Sequence, residues 1–270
     1  GGRFMPKRRW EELRRAGILV GVFFPPILGW LNLRVNYRNH RKIVVIDGNV
    51  GFVGGFNIGR EYISKDPGFG YWRDTHLRIT GEAVMSLQIR FALDWNYATG
   101  ENLFKNEAYF RTDLKKKTDV RRDKERPAWP DPELEGSQVG MQIIASGPDT
   151  REPHIRNNYL ELFHKAKHHI YIQTPYFVPD DAIFSALKMA ALSGVDVRLM
   201  IPCKPDHPFV YRATCSYAGE LLDYGAKVYI YTNGFLHSKG IMVDGRVCCY
   251  GTANMDIRSF ELNFEVNATI

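Results

Sequence analysis

The 270 residues are 44% hydrophobic and 24% charged, the balance of a globular chain long enough for one large core or two lobes. A net charge of +6 suits an anionic partner (nucleic acid, a phosphorylated substrate or an anionic membrane surface), although a solvated basic surface carries the same charge. The most apolar stretch, 17–33, is interrupted by Pro25 and Pro26 and is too short to span a bilayer. No secretory signal is visible, so any membrane anchor is expected outside these residues.

In chain order, residues 9–17 (RWEELRRAG) predict a helix ended by glycine, followed by an apolar strand, ILVGVFF. The segment PPILGWLNLRVN then carries Trp30 and several leucines, which fits either a dip into a lipid interface or ordinary core. Arg3, Lys7, Arg8 and Arg9 suit anionic headgroups or a solvated helix face. A strand through His40 and Lys42 comes next, with Ile43–Ile46 apolar enough for burial on both faces. A helix is expected over 83–97. Residues 111–126 hold eight basic and four acidic residues and read as a solvated connector. Beyond it the pattern predicts a helix at 156–167, a strand in HHIYIQTPYF, a helix at 180–193 and a strand in VDVRLMIP. A helix ending at Gly225 and the strand AKVYIY follow. This alternation predicts an α/β fold.

One motif occurs twice: His40–Lys42–Asp47 and His237–Lys239–Asp244 share the spacing His-x-Lys-x4-Asp at an offset of 197 residues. The match continues through Gly54–Gly55 against Gly251–Thr252, and Asn57 against Asn254. Two related lobes follow, 1–109 and 139–270, joined by the connector 110–138. The first copy has 39 residues before its histidine and the second about 98, whereas the second ends 26 residues after Asp244. The expectation is a chain truncated at both ends, with two pseudo-symmetric lobes around one site.

Alternation along a strand puts each histidine and its lysine on one face. A neutral imidazole can attack phosphorus, and a second, protonated one can give its proton to the leaving alcohol. Lys42, Lys239, Asn57 and Asn254 can donate to the non-bridging oxygens of a phosphodiester as charge builds. Each histidine also needs an acceptor on its other nitrogen. Within each copy the candidates are Asp74 for His40 and Glu265 for His237. Asp47 and Asp244, each before glycine at a strand end, belong to the motif but read as turn or salt-bridge residues. This scheme requires no metal or cofactor, and no metal-ligand cluster is seen. Cys203, Cys215, Cys248 and Cys249 lack metal spacing and read as reduced thiols on the cytoplasmic side.

The paired motifs resemble the phospholipase D superfamily, and the stretches NLRVNYRNHRKIVVIDGNVGFVGGFNIGREY, YWRDTHLRITGEAV, IQTPYFVPDD, DHPFV, NGFLHSKGIMVDG and NMDIRSFELNFEVN resemble bacterial cardiolipin synthases. The resemblance implies a site between two α/β lobes and transfer of a phosphatidyl group between two phosphatidylglycerol molecules with release of glycerol. It implies His40 as nucleophile, His237 as acid and base, and a cell-membrane location for the full-length protein. No nucleic-acid partner is expected. A hydrolytic phospholipase D or nuclease would use the same histidines, and an inactive fragment or scaffold would keep the residues without turnover. The remaining histidines (His76, His154, His164, His168, His169) read as packing or surface residues, and His207 as a loop residue able to reach a headgroup.

Overall fold

The computed structural model describes residues 5–24, 36–110 and 139–270. Trp30 with most of its apolar segment, Arg3, and nearly all of the connector lie outside the described residues.

The first lobe begins with the exposed helix α1 (Lys7–Arg15), where Arg8 and Arg9 both pair with Glu12. Residues 18–22 form no strand, and Ile18, Leu19 and Val22 are exposed. The reason is pairing rather than composition, since no described strand lies alongside them. Short β1 (Arg38–Asn39) precedes the first motif, and β2 (Ile43–Ile46), β3 (Val50–Gly54) and β5 (His76–Thr80) make a three-stranded antiparallel sheet. Between the last two lies β4 (Trp72–Arg73). Val44 and Ile46 face solvent, because α2 (Ala83–Thr99) covers only the other face of this sheet. The expected burial on both faces is thereby corrected. His40–Lys42 also lie between β1 and β2 rather than within a strand.

In the second lobe β6 (Gln142–Ser146), α3 (His154–Lys165), β7 (His169–Gln173), β8 (Phe177–Val178), α4 (Asp181–Leu192), β9 (Asp196–Pro202), α5 (Pro208–Leu222) and β10 (Lys227–Tyr231) follow the expected alternation. Asp180 caps α4 by accepting from the Ile183 N–H, and proline opens α5. The chain closes with β11 (Phe235–Leu236), β12 (Gly240–Val243), β13 (Val247–Gly251), β14 (Met255–Asp256), α6 (Ile257–Glu261) and β15 (Asn263–Thr269). The mixed sheet runs β1-β15-β13-β12-β7-β9-β10, with β6 also on β15. Ile170, Ile172, Leu199, Ile201 and Ile241 from this sheet pack with Ile155, Tyr159, Ile183, Leu187 and Leu221 from the helices. Each such residue contributes roughly 1.5–3 kcal/mol by leaving water.

A second cluster joins the lobes: Val53 and Ile79 of the small sheet and Val84 and Leu87 of α2 meet Val266 and Ala268 of β15. Backbone pairing joins them further, and it does so twice in the same way. β1 runs parallel to the start of β15, with Arg38 opposite Asn263 and Asn39 opposite Phe264. β11 runs parallel to β4, with Phe235 opposite Trp72 and Leu236 opposite Arg73. Each motif therefore enters the site on a strand hydrogen-bonded to the other copy.

Candidate active site

The parallel pairings carry both histidines across the lobe boundary. The His40 N–H donates to the Phe264 carbonyl at 2.9 Å, and the His237 N–H to the Arg73 carbonyl at 2.7 Å. The side chains follow the backbone. His40 Nδ1 lies 2.8 and 2.9 Å from the two Glu265 carboxylate oxygens. His237 Nδ1 lies 2.6 Å from Asp74 Oδ2. The pairing expected from sequence is thus exchanged: Glu265 serves His40 and Asp74 serves His237. A carboxylate can only accept, so Nδ1 carries the proton in each ring and Nε2 is left for chemistry.

The lysines are held beside their own histidines. Lys42 Nζ donates to the His40 carbonyl at 2.8 Å, and Lys239 Nζ donates to the His237 carbonyl and sits 2.9 Å from His237 Nδ1. Lys239 is fully buried, and burial pushes its ammonium down to about 8, opposed by Asp74 and Glu265. Burial likewise pushes Lys42 down to about 7, with Glu265 pulling it back up. Burial also lowers both imidazoles, His237 to about 3, and the neighbouring lysine charges push each the same way. Burial acts to raise the two carboxyls. For Asp74 the His237 bond and the Lys239 charge outweigh it, and for Glu265 His40 and Lys42 do, so both are held below the usual range. Near neutral pH the site therefore holds two carboxylates, the Lys239 ammonium, Lys42 divided between its charged and neutral forms, and two neutral imidazoles.

The remaining predicted residues divide. Asn254 is buried, its side-chain oxygen without a partner, and its N–H is held by Ser259 Oγ. Its counterpart Asn57 is exposed and donates to the Tyr62 hydroxyl, and Tyr62 stands edge-on to the His237 ring with centroids 5.5 Å apart. Asp47 and Asp244 lie outside the site. With φ of 52° and 53°, followed by Gly48 at 68° and Gly245 at 64°, they form the left-handed turns of the hairpins β2–β3 and β12–β13. Asp244 also accepts from the N–H groups of Lys167, His168 and His169, which hold its carboxyl down at about 2. Of the other histidines, His76 stacks on Phe56, and its Nδ1 accepts from the Phe56 N–H at 3.3 Å.

Sequence reading missed the wall around His237. Trp72 lies 5.0 Å from the His237 ring and 4.7 Å from Phe235, and Tyr62 lies 4.7 Å from Trp72. Alternation offered a signal, since Trp72 and Phe235 each precede a site residue by two positions. Thr252 was also missed: its hydroxyl donates to Glu265 Oε2 at 2.5 Å. The same position in the first copy is Gly55, where a Cβ would stand 2.0 Å from Asp74 Oδ1. Ser238 and Thr75 bridge the lobes at 2.7 Å, and Arg41 clamps the Glu265 and Ser146 carbonyls and, at 2.6 Å, Asp94. Among the described residues no group of three His, Cys, Asp or Glu side chains is arranged to hold a metal ion.

The two-lobed mixed α/β fold, with one His-x-Lys motif from each copy in a shared site, is phospholipase D-like. Residues 159–270 match the family described as "Cardiolipin synthase, PLD-like domain". Over its whole length the chain is 52% identical to the major cardiolipin synthase of Bacillus subtilis (strain 168), covering 52% of that protein. It is 49% identical over 267 residues to the cardiolipin synthase of Oceanobacillus iheyensis, covering 99% of this chain and 51% of that one. The chain thus spans about half the length of the curated relatives it matches. Among solved structures, phosphatidylserine synthase from Haemophilus influenzae Rd KW20 shares the fold, with a TM-score of 0.57 and 18% identity, over 86% of this chain and 57% of that one.

Proposed function

We propose that this site transfers a phosphatidyl group from one phosphatidylglycerol to another, making cardiolipin and releasing glycerol through a phosphohistidine. The observation that carries the reading is the pair of crossed histidine–carboxylate contacts in one site, which leave two Nε2 atoms for the two halves of a double displacement. The relatives' names supply the lipid product.

His40 is the nucleophile. Its side chain is 28% exposed against 9% for His237, and both Glu265 oxygens fix its tautomer. His40 Nε2 attacks phosphorus, the bond from phosphorus to the glycerol oxygen breaks, and His237 Nε2–H gives its proton to that oxygen. In the second half His237 takes the proton of the incoming hydroxyl, whose oxygen displaces His40 from phosphorus. Lys42, Lys239 and Asn254 meet the non-bridging oxygens, as Asn57 does from the rim.

The charge count explains how His237 becomes an acid although burial and Lys239 favour its neutral form. With Lys239 charged and Lys42 driven to its charged form by the arriving phosphate, two ammonium groups balance the two carboxylates, and the phosphodiester adds one further negative charge. One proton on His237 restores neutrality. Such a reaction works at an anionic membrane surface, although no described helix is long and apolar enough to cross a membrane. Four free cysteines favour the cytoplasmic side.

Purified protein given phosphatidylglycerol vesicles should yield cardiolipin and glycerol, and rapid quenching during turnover should trap a phosphatidyl group on His40 that His40→Asn abolishes. Phosphatidic acid as the sole lipid product would overturn the transferase reading in favour of hydrolysis.

A further inference from the structure

Near the site lies a carboxylate that the chemistry above does not use. Asp206 lies in the short loop between β9 and α5, half-buried, and accepts a hydrogen bond from the Tyr176 hydroxyl. Its charge acts on the Lys239 ammonium and on the Tyr62 hydroxyl, which puts it in the neighbourhood of the phosphate-binding groups. Tyr176 is seated firmly. Its carbonyl accepts from Thr174 Oγ1 at 2.8 Å, and that oxygen also accepts from the Met255 N–H at 3.3 Å, next to Asn254. β8 then pairs with β14 through Phe177 and Met255, and the Phe177 N–H is held by buried Thr214. His207, exposed, has its ring 6.4 Å from Tyr176.

A negative charge beside a phosphodiester site repels the phosphate and lowers affinity for it. Its presence there is explained if the neighbouring part of the substrate offers hydroxyl donors, since carboxylates are acceptors only. A phosphatidylglycerol acceptor carries two such hydroxyls on its headgroup, one that attacks and one that remains. We propose that Asp206, held by Tyr176, is the specificity-determining acceptor for the non-reacting hydroxyl of a polyol headgroup, and thereby selects a glycerol-bearing acceptor over a simple alcohol. This rests on the transferase reading and adds to it the residue that recognises the acceptor. The carboxylate also disfavours an acceptor whose anionic group falls near the reacting hydroxyl.

The test is a competition in phosphatidylglycerol vesicles containing ethanol, in which cardiolipin and phosphatidylethanol form from the same phosphohistidine. Because both products share every step up to the acceptor, their ratio reads acceptor choice alone. Asp206→Asn should lower the ratio of cardiolipin to phosphatidylethanol roughly ten- to hundredfold, the worth of a hydrogen bond to a charged group. Tyr176→Phe should lower it in the same direction by less. An unchanged ratio in Asp206→Asn, including equal loss of both products, overturns the assignment. A wild-type protein that forms phosphatidylethanol but no cardiolipin overturns the cardiolipin reading itself, and this inference with it.

Discussion

Replacing Glu265 by glutamine tests the crossed pairing directly. The carboxylate is fully buried and takes three donors: His40 Nδ1 at 2.8 and 2.9 Å, the Thr252 hydroxyl at 2.5 Å and Asn263 Nδ2 at 3.1 Å. An amide has one oxygen and brings two N–H donors, so at least one partner must face a donor in a dry site. That mismatch costs about 1–3 kcal/mol. The charge is lost as well. Glu265 is what pulls Lys42 back up to about 7, so without it Lys42 is largely neutral at pH 7 and the site loses part of its attraction for phosphate. Misorientation of the nucleophile and loss of that charge together should slow the chemical step by roughly 10³- to 10⁴-fold, about 4–5.5 kcal/mol. Single-turnover release of glycerol from phosphatidylglycerol vesicles gives the rate, and ¹⁵N resonances of the imidazoles report which ring changes tautomer. The variant should move His40 and leave His237 in place, whereas Asp74→Asn should do the reverse. A rate loss under about tenfold, or a response of His237 to the Glu265 change, would refute the reasoning.

Gly55→Ala sets a methyl group against Asp74, since the added carbon falls 2.0 Å from Oδ1. It should reduce glycerol release about a hundredfold or more by displacing the partner of His237, while circular dichroism stays that of the wild type; full activity would show that Asp74 tolerates the shift. The pH dependence follows from the lysines. Catalysis needs both charged, so kcat/KM of the free protein should fall from about pH 7 to 8 upward, well before ordinary lysines titrate. Stability should move the other way. Between those values and the ordinary lysine range the unfolded chain binds protons that the folded chain lacks, so these two groups make folding more favourable as pH rises. The lowered carboxyls Asp74 and Glu265 have the opposite window: their stabilisation is present above the ordinary carboxylate range and is lost on acidification. Urea unfolding across pH, compared with the activity profile, checks both signs. A common optimum for activity and stability would contradict them.

What could be read from the sequence was set by how local its causes are. The helices and strands of the second lobe follow from periodicity and caps within each segment, and they lie within a few residues of where the pattern put them. ILVGVFF has strand composition too, yet forms none, because a strand also needs a neighbour and composition does not supply one. Asp74 and Glu265 were legible as carboxylates that follow the Asn-containing turn in each copy. Which histidine each would serve was not. That depends on β1 lying along β15 and β11 along β4, contacts between residues 225 and 163 positions apart in the two side-chain pairs. The exact repeat of the motif also suggested that Asn57 and Asn254 are equivalent. The environments differ, one exposed against Tyr62 and one buried, because the surrounding loops do not repeat.

The crossing has a consequence during synthesis. The ribosome completes the first motif long before Glu265, which lies 225 residues further on than His40. At roughly 5–20 residues per second, that interval is about ten seconds or more. Throughout it the first imidazole has no carboxylate to hold its tautomer, and the strand that will seat its backbone does not yet exist. The nascent half thus carries the reactive group without the means to use it, and competence arrives only when the strand bearing Glu265 has been made. A single topological choice serves as both assembly and safety catch.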